Sequence, residues 1–245
     1  MDVGSTQDPA MAAPVTPARE FEDFIYLVSH DVRSSVRALI ELPQWIEEDL
    51  RAEGVRIGGS LAENLALMNT HMRRLDRMLI DLLIYSRIGR MQSGGDIDWN
   101  EVIDDVLEQT RMPPGFHLVR DIQAPTMRMG RNDAVTLVSS LLSNGVKHHD
   151  RPQGTLRIAT REENSWVRLD VIDDGPGIPK ESRSKVFEVM TTLKPRDLIE
   201  GSGMGLANVR KIVSHYGGRL EWRDTGGTRG CHLAVYFQKT GQPLH

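Results

Sequence analysis

DDGPGIP, residues Asp173–Pro179, is the stretch on which the fold turns. The run before it, Trp166–Ile172, alternates apolar and polar residues as a half-buried strand does. A carboxylate then closes the strand. Gly175 and Gly177 follow at alternate positions, with Ile178 after them. Asp173 at a strand end can accept a hydrogen bond from a ring amino group, and the glycines let the backbone pass close to a flat ligand. Alone, the segment is an acidic turn.

Outward from it, GSGMGL at Gly201–Leu206 opens a helix predicted over Met204–Tyr216, which Gly217 caps. Gly201, Gly203 and Gly205 alternate with Ser202 and Met204, so backbone N–H groups and a helix N-terminus can approach phosphate oxygens. The spacing is neither that of a Walker loop nor that of a dinucleotide-binding fingerprint. Upstream, SNGVKHH ends a helix predicted over Asn132–His149 and puts Asn144 and Lys147 on one face. An amide oxygen suits Mg²⁺ and a lysine suits phosphate. His148 and His149 lack the acidic or cysteine companions of a transition-metal site. Between Ile178 and Gly201 lies a polar stretch with Lys180, Lys185, Thr191, Thr192, Lys194 and Arg196, the composition of a lid over a nucleotide.

The remaining elements are read as helix over Asn100–Thr110 and strands over Phe116–Ile122, Thr126–Met129, Thr155–Thr160, Gly218–Trp222 and Cys231–Phe237. A turn is predicted at Asn164-Ser165. The set predicts an α/β sandwich with a mixed sheet covered by helices on one face.

The first third is different. Phe21, Ile25, Val28, Val32, Ser35, Leu39, Leu42 and Ile46 step by four and three, as do Leu61, Leu65, Met68, Met72, Leu75, Leu79 and Leu82. These are coiled-coil seams. Glu53–Ser60 holds three glycines and suits a turn, so a helical hairpin is predicted, paired with a second copy as a four-helix bundle. Pro43 lies inside the first seam; a proline there costs about 3 kcal/mol in a straight helix and predicts a kink or a break. His30 projects opposite the first seam, with Asp31 beside it. A neutral imidazole is a competent nucleophile near neutral pH, and the neighbouring carboxylate can hold one ring nitrogen protonated.

The chain has 245 residues, a net charge of −4 and one cysteine, Cys231. The charge argues against nucleic-acid binding. No apolar run approaches the roughly 18–20 residues of a membrane helix. The lone cysteine fits a cytoplasmic setting. Residues 1–12 read as an expression scar. The expected organisation is a dimerisation and phosphotransfer hairpin over 13–90, a linker over 91–97 and a nucleotide-binding domain over 98–240.

Each motif alone is weak; their joint occurrence in this order is specific. The chain resembles the sensor histidine kinases of two-component signalling from about Phe21 to Phe237, with wording especially like kinases of the phytochrome type. Ser29–Arg33 resembles the family's phosphoacceptor box, Leu141–Lys147 its asparagine box, Asp173–Pro179 and Gly201–Leu206 its glycine boxes, and Val186–Glu188 its phenylalanine box. The resemblance implies an ATP-binding domain of the type shared with gyrase and Hsp90. It makes His30 the phosphorylated residue, Asp31 its acid/base partner, Asn144 the holder of Mg²⁺, Lys147 a phosphate contact and Asp173 the reader of adenine. His148, Ile178, Thr191 and the Gly201–Leu206 loop would complete the pocket. The phosphoryl group would pass to the receiver domain of a response regulator, with input from a sensor domain or a separate sensor protein. Departures from the pattern are Ser35 where proline is usual, Ser34 where threonine or asparagine is common, Ser140, His148, and the segment Gly230-Cys231-His232. They leave two other readings in play: a phosphotransfer dimer with a decayed nucleotide domain, and an ATP-hydrolysing clamp. The clamp needs a glutamate where Ser140 stands.

Overall fold

The computed structural model describes residues 17–90, 94–193, 201–227 and 229–239. The scar expected over residues 1–12 lies outside them, as do Lys194, Arg196 and the side chain of Phe21. Two long helices, α1 (Pro17–Ala52) and α2 (Ser60–Arg87), form the predicted hairpin. An α/β domain follows: β1 (Gly95–Asp98), α3 (Trp99–Gln109), β2 (Phe116–Ile122), β3 (Thr126–Met129), α4 (Arg131–Lys147), β4 (Gly154–Glu163), β5 (Trp166–Asp173), α5 (Gly205–His215), β6 (Arg219–Trp222) and β7 (His232–Gln238).

α1 runs unbroken through Pro43, so the helix does not stop and restart there, the alternative to a kink. The reason lies in which face turns inward. Ser29, Val36 and Pro43, seven residues apart, are the buried positions among the described side chains of α1. The proline ring therefore packs as an apolar group in the hairpin interior. The predicted seam instead lies open: Val28, Val32, Leu39, Leu42 and Ile46 are each 38–42% exposed. α1 thus carries two stripes, one closing the hairpin and one left over. In α2 the buried residues are Leu65, Leu79, Leu83 and Ser86.

The hairpin is antiparallel, and its ion and ring pairs set the levels. Arg33 Nε lies 3.4 Å from Asp76 Oδ1, the Arg87 guanidinium lies 5.4 Å from the Tyr26 ring centroid, and Arg90 Nη2 lies 2.7 Å from Asp23 Oδ1. His30 falls between the first two pairs. It therefore stands level with the α2 segment between Asp76 and Arg87.

The main sheet has the order β2-β4-β5-β7-β6, with β2 parallel to β4 and every other pair antiparallel. It is the mixed sheet that was expected. Period-two positions feed one core: Leu156 and Ile158, Val167, Leu169 and Val171, and Leu233, Val235 and Phe237. The apolar faces of α3, α4 and α5 cover them, with Ala134, Leu137, Val138, Leu141 and Leu142 of α4 repeating at helical spacing. The Asn164 turn joins β4 to β5 at φ 56°. Gly95–Asp98, where the linker expected over 91–97 ends, pairs with β3 as a separate two-stranded sheet. Four residues carrying two aspartates gave no strand signal; only pairing with β3 makes them one.

Two local devices hold this arrangement. At the joint of hairpin and sandwich, Ile88 is buried in the domain core, and Gly89 N–H donates to Asp133 Oδ2 at 3.2 Å. The Tyr216 hydroxyl donates to the same oxygen at 2.8 Å and accepts from Gly130 N–H at 2.9 Å. Burial pushes the phenol pKa above its ordinary value, which keeps the hydroxyl a donor. Before β7, Gly230 adopts φ 111°, and a Cβ there would overlap the Asp173 carbonyl.

Tyr216→Phe should cost about 1–3 kcal/mol in urea unfolding, since Asp133 loses a buried donor and Gly130 N–H its acceptor. Gly230→Ala should cost a similar amount or more through strain and overlap. Gly58→Ala, where nothing lies within 4 Å of an added Cβ, should leave the midpoint unchanged.

Candidate functional site

A cleft of about 500 Å³ opens between the C-terminal half of α4, the turn after β5, the loop before α5 and one face of α2. Of the residues singled out in the sequence, Asn144, Lys147, His148, Asp173, Gly177, Ile178, Thr191, Gly201, Ser202, Gly203, Gly205 and Leu206 all line it. Segments spread over some sixty residues meet because α4 and α5 lie side by side on the sheet whose strand β5 ends at Asp173.

Asp173 is the fixed point. Its Oδ1 accepts from Gly175 N–H at 2.9 Å and from Cys231 N–H at 3.2 Å. Burial pushes its carboxyl above the ordinary range, and the two N–H groups pull it part of the way back. Both bonds fall on one oxygen, so Oδ2 remains as an acceptor. Cys231 shares the cleft wall, and burial beside that carboxylate pushes its thiol up to about 12. Gly175 does not line the cleft as expected; it orients the acid through its N–H. The departing segment Gly230-Cys231-His232 also acquires a role here. Gly230 passes over Asp173, Cys231 supplies an N–H, and His232 Nε2 lies 2.8 Å from the buried Asp170 carboxylate.

His149 is a bolt, not a ligand. Its side chain is 1% exposed, and its Nε2 lies 3.0 Å from Asp174 Oδ1, which also accepts from Thr155 N–H at 2.8 Å. It ties the end of α4 to the turn after β5. Among the described residues no cluster of three or more histidines, cysteines and acids could hold a metal. Gly145, one residue after Asn144, lets α4 approach the sheet: a Cβ would sit 2.6 Å from Leu156 Cδ2.

The loop before α5 is packed through its glycines. A Cβ on Gly203, at φ 75°, would lie 2.7 Å from the Thr191 carbonyl. A Cβ on Gly201 would overlap Lys147 Nζ. Met204 is fully buried beneath the loop and does not line the cleft, contrary to expectation; its N–H donates to Ser202 Oγ at 3.2 Å. The expected lid divides. Val186 and Phe187 are buried in the core, Phe187 packs 5.7 Å from the Trp222 ring, and Val186, Thr191, Thr192 and Leu193 reach the cleft.

The arrangement fits a nucleotide. An amide oxygen at Asn144, an ammonium at Lys147, glycine backbone at 201–205 and an acid at Asp173 form a set suited to a purine nucleotide with its triphosphate. Asn144 offers the neutral oxygen that Mg²⁺ accepts beside phosphate.

Sequence reasoning missed the fourth wall. Arg77, Asp81 and Ile84 of α2 line the same cleft. It also missed Asn208 on α5, whose buried Oδ1 has no hydrogen-bond partner among the described residues. Neither position belongs to a motif, and only the packing of hairpin against sandwich reveals them.

His30 and Asp31 lie outside the cleft lining, on the exposed face of α1. Their side chains are 66% and 82% exposed, and His30 Nδ1 lies 3.2 Å from Asp31 Oδ1. The Tyr26 ring stacks on the imidazole at 6.3 Å between centroids.

Residues 130–240 match the family of histidine kinase-, DNA gyrase B-, and HSP90-like ATPases. The chain is 31% identical over 219 residues to the methanogenesis regulatory histidine kinase FilI of Methanothrix harundinacea, covering 86% of this chain and 24% of that protein. It is 25% identical over 236 residues to cyanobacterial phytochrome B of a Nostoc species, covering 89% and 29%. The chain thus spans about a quarter of the length of these curated relatives. In fold it resembles full-length ShkA, solved in complex with AMPPNP, with a TM-score of 0.66 at 19% identity over 91% of this chain and 47% of that one. It likewise resembles the histidine kinase ThkA, solved in complex with the response regulator protein TrrA, with a TM-score of 0.60 at 18% identity over 92% and 65%. No described helix is long and apolar enough to cross a membrane. Residues 130–240 thus form an ATPase domain of this family, carried behind a long helical hairpin.

Proposed function

We propose that this chain is an ATP-dependent protein-histidine kinase that phosphorylates itself on His30 and passes the phosphoryl group to an aspartate on a response regulator. The observation that carries this reading is one of level. The nucleotide cleft is walled by Arg77, Asp81 and Ile84, and His30 stands at that same height on the hairpin. An ATP-hydrolysing clamp would leave the exposed, carboxylate-paired histidine without a purpose, and a decayed nucleotide domain is disfavoured by a cleft that still gathers Asn144, Lys147, Asp173 and the glycine loop.

The chemistry follows from the side chains present. Asp173 Oδ2 would accept from the adenine amino group, and Gly177 would let the ring lie flat on the turn. Lys147 and the glycine loop would receive the phosphates. Asn144 would hold Mg²⁺, which would supply charge neutralisation to the phosphates. Asp31 Oδ1 would take the Nδ1 proton of His30 in a hydrogen bond, leaving the Nε2 lone pair to attack the γ-phosphorus. A P–N bond forms as the bond from phosphorus to the bridging oxygen of ADP breaks, and ADP leaves with that electron pair. Positioning and charge neutralisation provide most of the acceleration in such transfers. Because ThkA is recorded with a response regulator, a receiver domain is the partner proposed for the hairpin here. The input would come from a sensor domain or a separate protein, and the setting would be the cytoplasm.

The open stripe on α1 supports a homodimer. Val28, Val32, Leu39, Leu42 and Ile46 repeat with coiled-coil spacing on a face that the hairpin does not use. A second copy presenting the same stripe would complete a four-helix bundle.

Incubation with γ-labelled ATP should give an acid-labile phosphoprotein. His30→Ala should abolish the label while nucleotide binding by calorimetry stays intact; undiminished label would overturn the assignment. Asp173→Asn, which replaces an acceptor with a donor at the adenine position, should weaken nucleotide binding at least tenfold, the scale of one lost charged hydrogen bond. For the dimer, Leu39→Asp should convert the sedimenting species to a monomer at micromolar concentration with the helical signal retained.

A further inference from the structure

The phosphotransfer reading leaves unused a carboxylate that the hairpin brings into the cleft. Asp81 of α2 lines it together with Ser202 of the glycine loop, and the Ser202 hydroxyl pulls the Asp81 carboxyl pKa down against burial. Ser202 is itself 7% exposed, and its oxygen accepts from Met204 N–H, so the loop is organised around this hydroxyl. The positive charges of Arg77 and Lys147 act on the same carboxylate. Lys147 Nζ in turn lies against Gly201. A loop hydroxyl, an ammonium and a guanidinium beside glycine backbone are what phosphate oxygens seek. Here a carboxylate of the protein's own hairpin draws on them.

The contact is held from a distance. Lys211 Nζ on α5 donates to the Tyr85 carbonyl at 2.6 Å and lies 4.3 Å from that ring's centroid. Gly89 N–H is fixed to Asp133 on the far side of the joint. Together they keep this face of α2 against the loop. Burial raises the Asp81 carboxyl above its ordinary range against the pull of Ser202, Arg77 and Lys147.

We propose that Asp81 is a positioning residue that acts as an internal competitor for the phosphate end of the nucleotide, so that hairpin docking and nucleotide binding oppose each other. The inference rests on the nucleotide-binding reading of the cleft. With α2 docked, an anion already occupies the donors of the loop, and an incoming triphosphate meets both that anion's repulsion and its hold on Ser202. Binding would displace Asp81 and loosen the domain from α2, freeing it to carry the γ-phosphate toward an exposed His30. Linkage makes the effect reciprocal: a signal that shifts α2 and withdraws Asp81 raises nucleotide affinity by the factor by which nucleotide favours the shift.

The test is calorimetric titration of the full chain with AMPPNP, with Mg²⁺ and again with EDTA. Asp81→Asn keeps the shape and removes the charge, and should tighten binding about tenfold, within the usual range of coupling between sites. Lys211→Met, away from the cleft, should tighten it in the same direction, and the double variant should exceed the stronger single variant only slightly. Unchanged or weaker binding by Asp81→Asn while the wild type binds overturns the inference and leaves the kinase reading standing. Weakening confined to Mg²⁺ would also overturn it, by making Asp81 a metal ligand. Should Asp81→Asn fail to fold by urea unfolding, an unchanged affinity in Lys211→Met overturns the proposal. If neither wild type nor any variant binds, the nucleotide reading falls and this inference with it.

Discussion

A single buried carboxylate governs how the two halves of this protein meet. Asp133, 3% exposed, receives the Tyr216 hydroxyl from the end of α5 and the Gly89 N–H from the end of the hairpin. An acid so placed must be hydrogen-bonded, because a buried unpaired charge would cost several kcal/mol. The requirement fixes the chain where it leaves α2. Ile88 then enters the sandwich core, and Lys211 reaches the Tyr85 carbonyl. The consequence for function is indirect and large: one face of α2 becomes the fourth wall of the cleft.

The cleft itself is made by omission of side chains. Gly145 lets α4 settle on Leu156, Gly203 lets the segment at Thr191 press on the loop, and Gly230 lets the chain cross Asp173. Each removes a Cβ at a point where backbones or side chains come within ordinary contact distance. Together they bring Asn144, Asp173 and Ser202 to one space from three separate segments. His149 completes the frame by binding the end of α4 to Asp174.

The hairpin is built on a different principle. One helix carries two stripes because a 3.6-residue turn can face two partners at once. Ser29, Val36 and Pro43 face α2, while Val28, Val32, Leu39 and Leu42 face outward. His30 follows the inner stripe by one residue and escapes both, and so remains open to an incoming group. A proline that would break an isolated helix is accommodated on the inner stripe, where its ring replaces a larger apolar side chain.

Local pattern alone specified much of this molecule. Period-two runs located β2, β4, β5 and β7, helical spacing located α3, α4 and α5, and the motif residues Asn144, Lys147, Asp173 and Gly201–Gly203 marked the cleft, because each of these signals lies within a few neighbouring residues. Three things were invisible at that range. β1 is a strand only because β3 lies beside it. The division of α1 into two stripes depends on which face α2 covers. The wall of Arg77, Asp81 and Ile84 exists only because a joint more than forty residues away in sequence, at Asp133, sets the angle of the hairpin. Sequence determines what each element is, through side chains close along the chain; the packing of distant elements determines what faces the cleft, because that depends on contacts no local window contains.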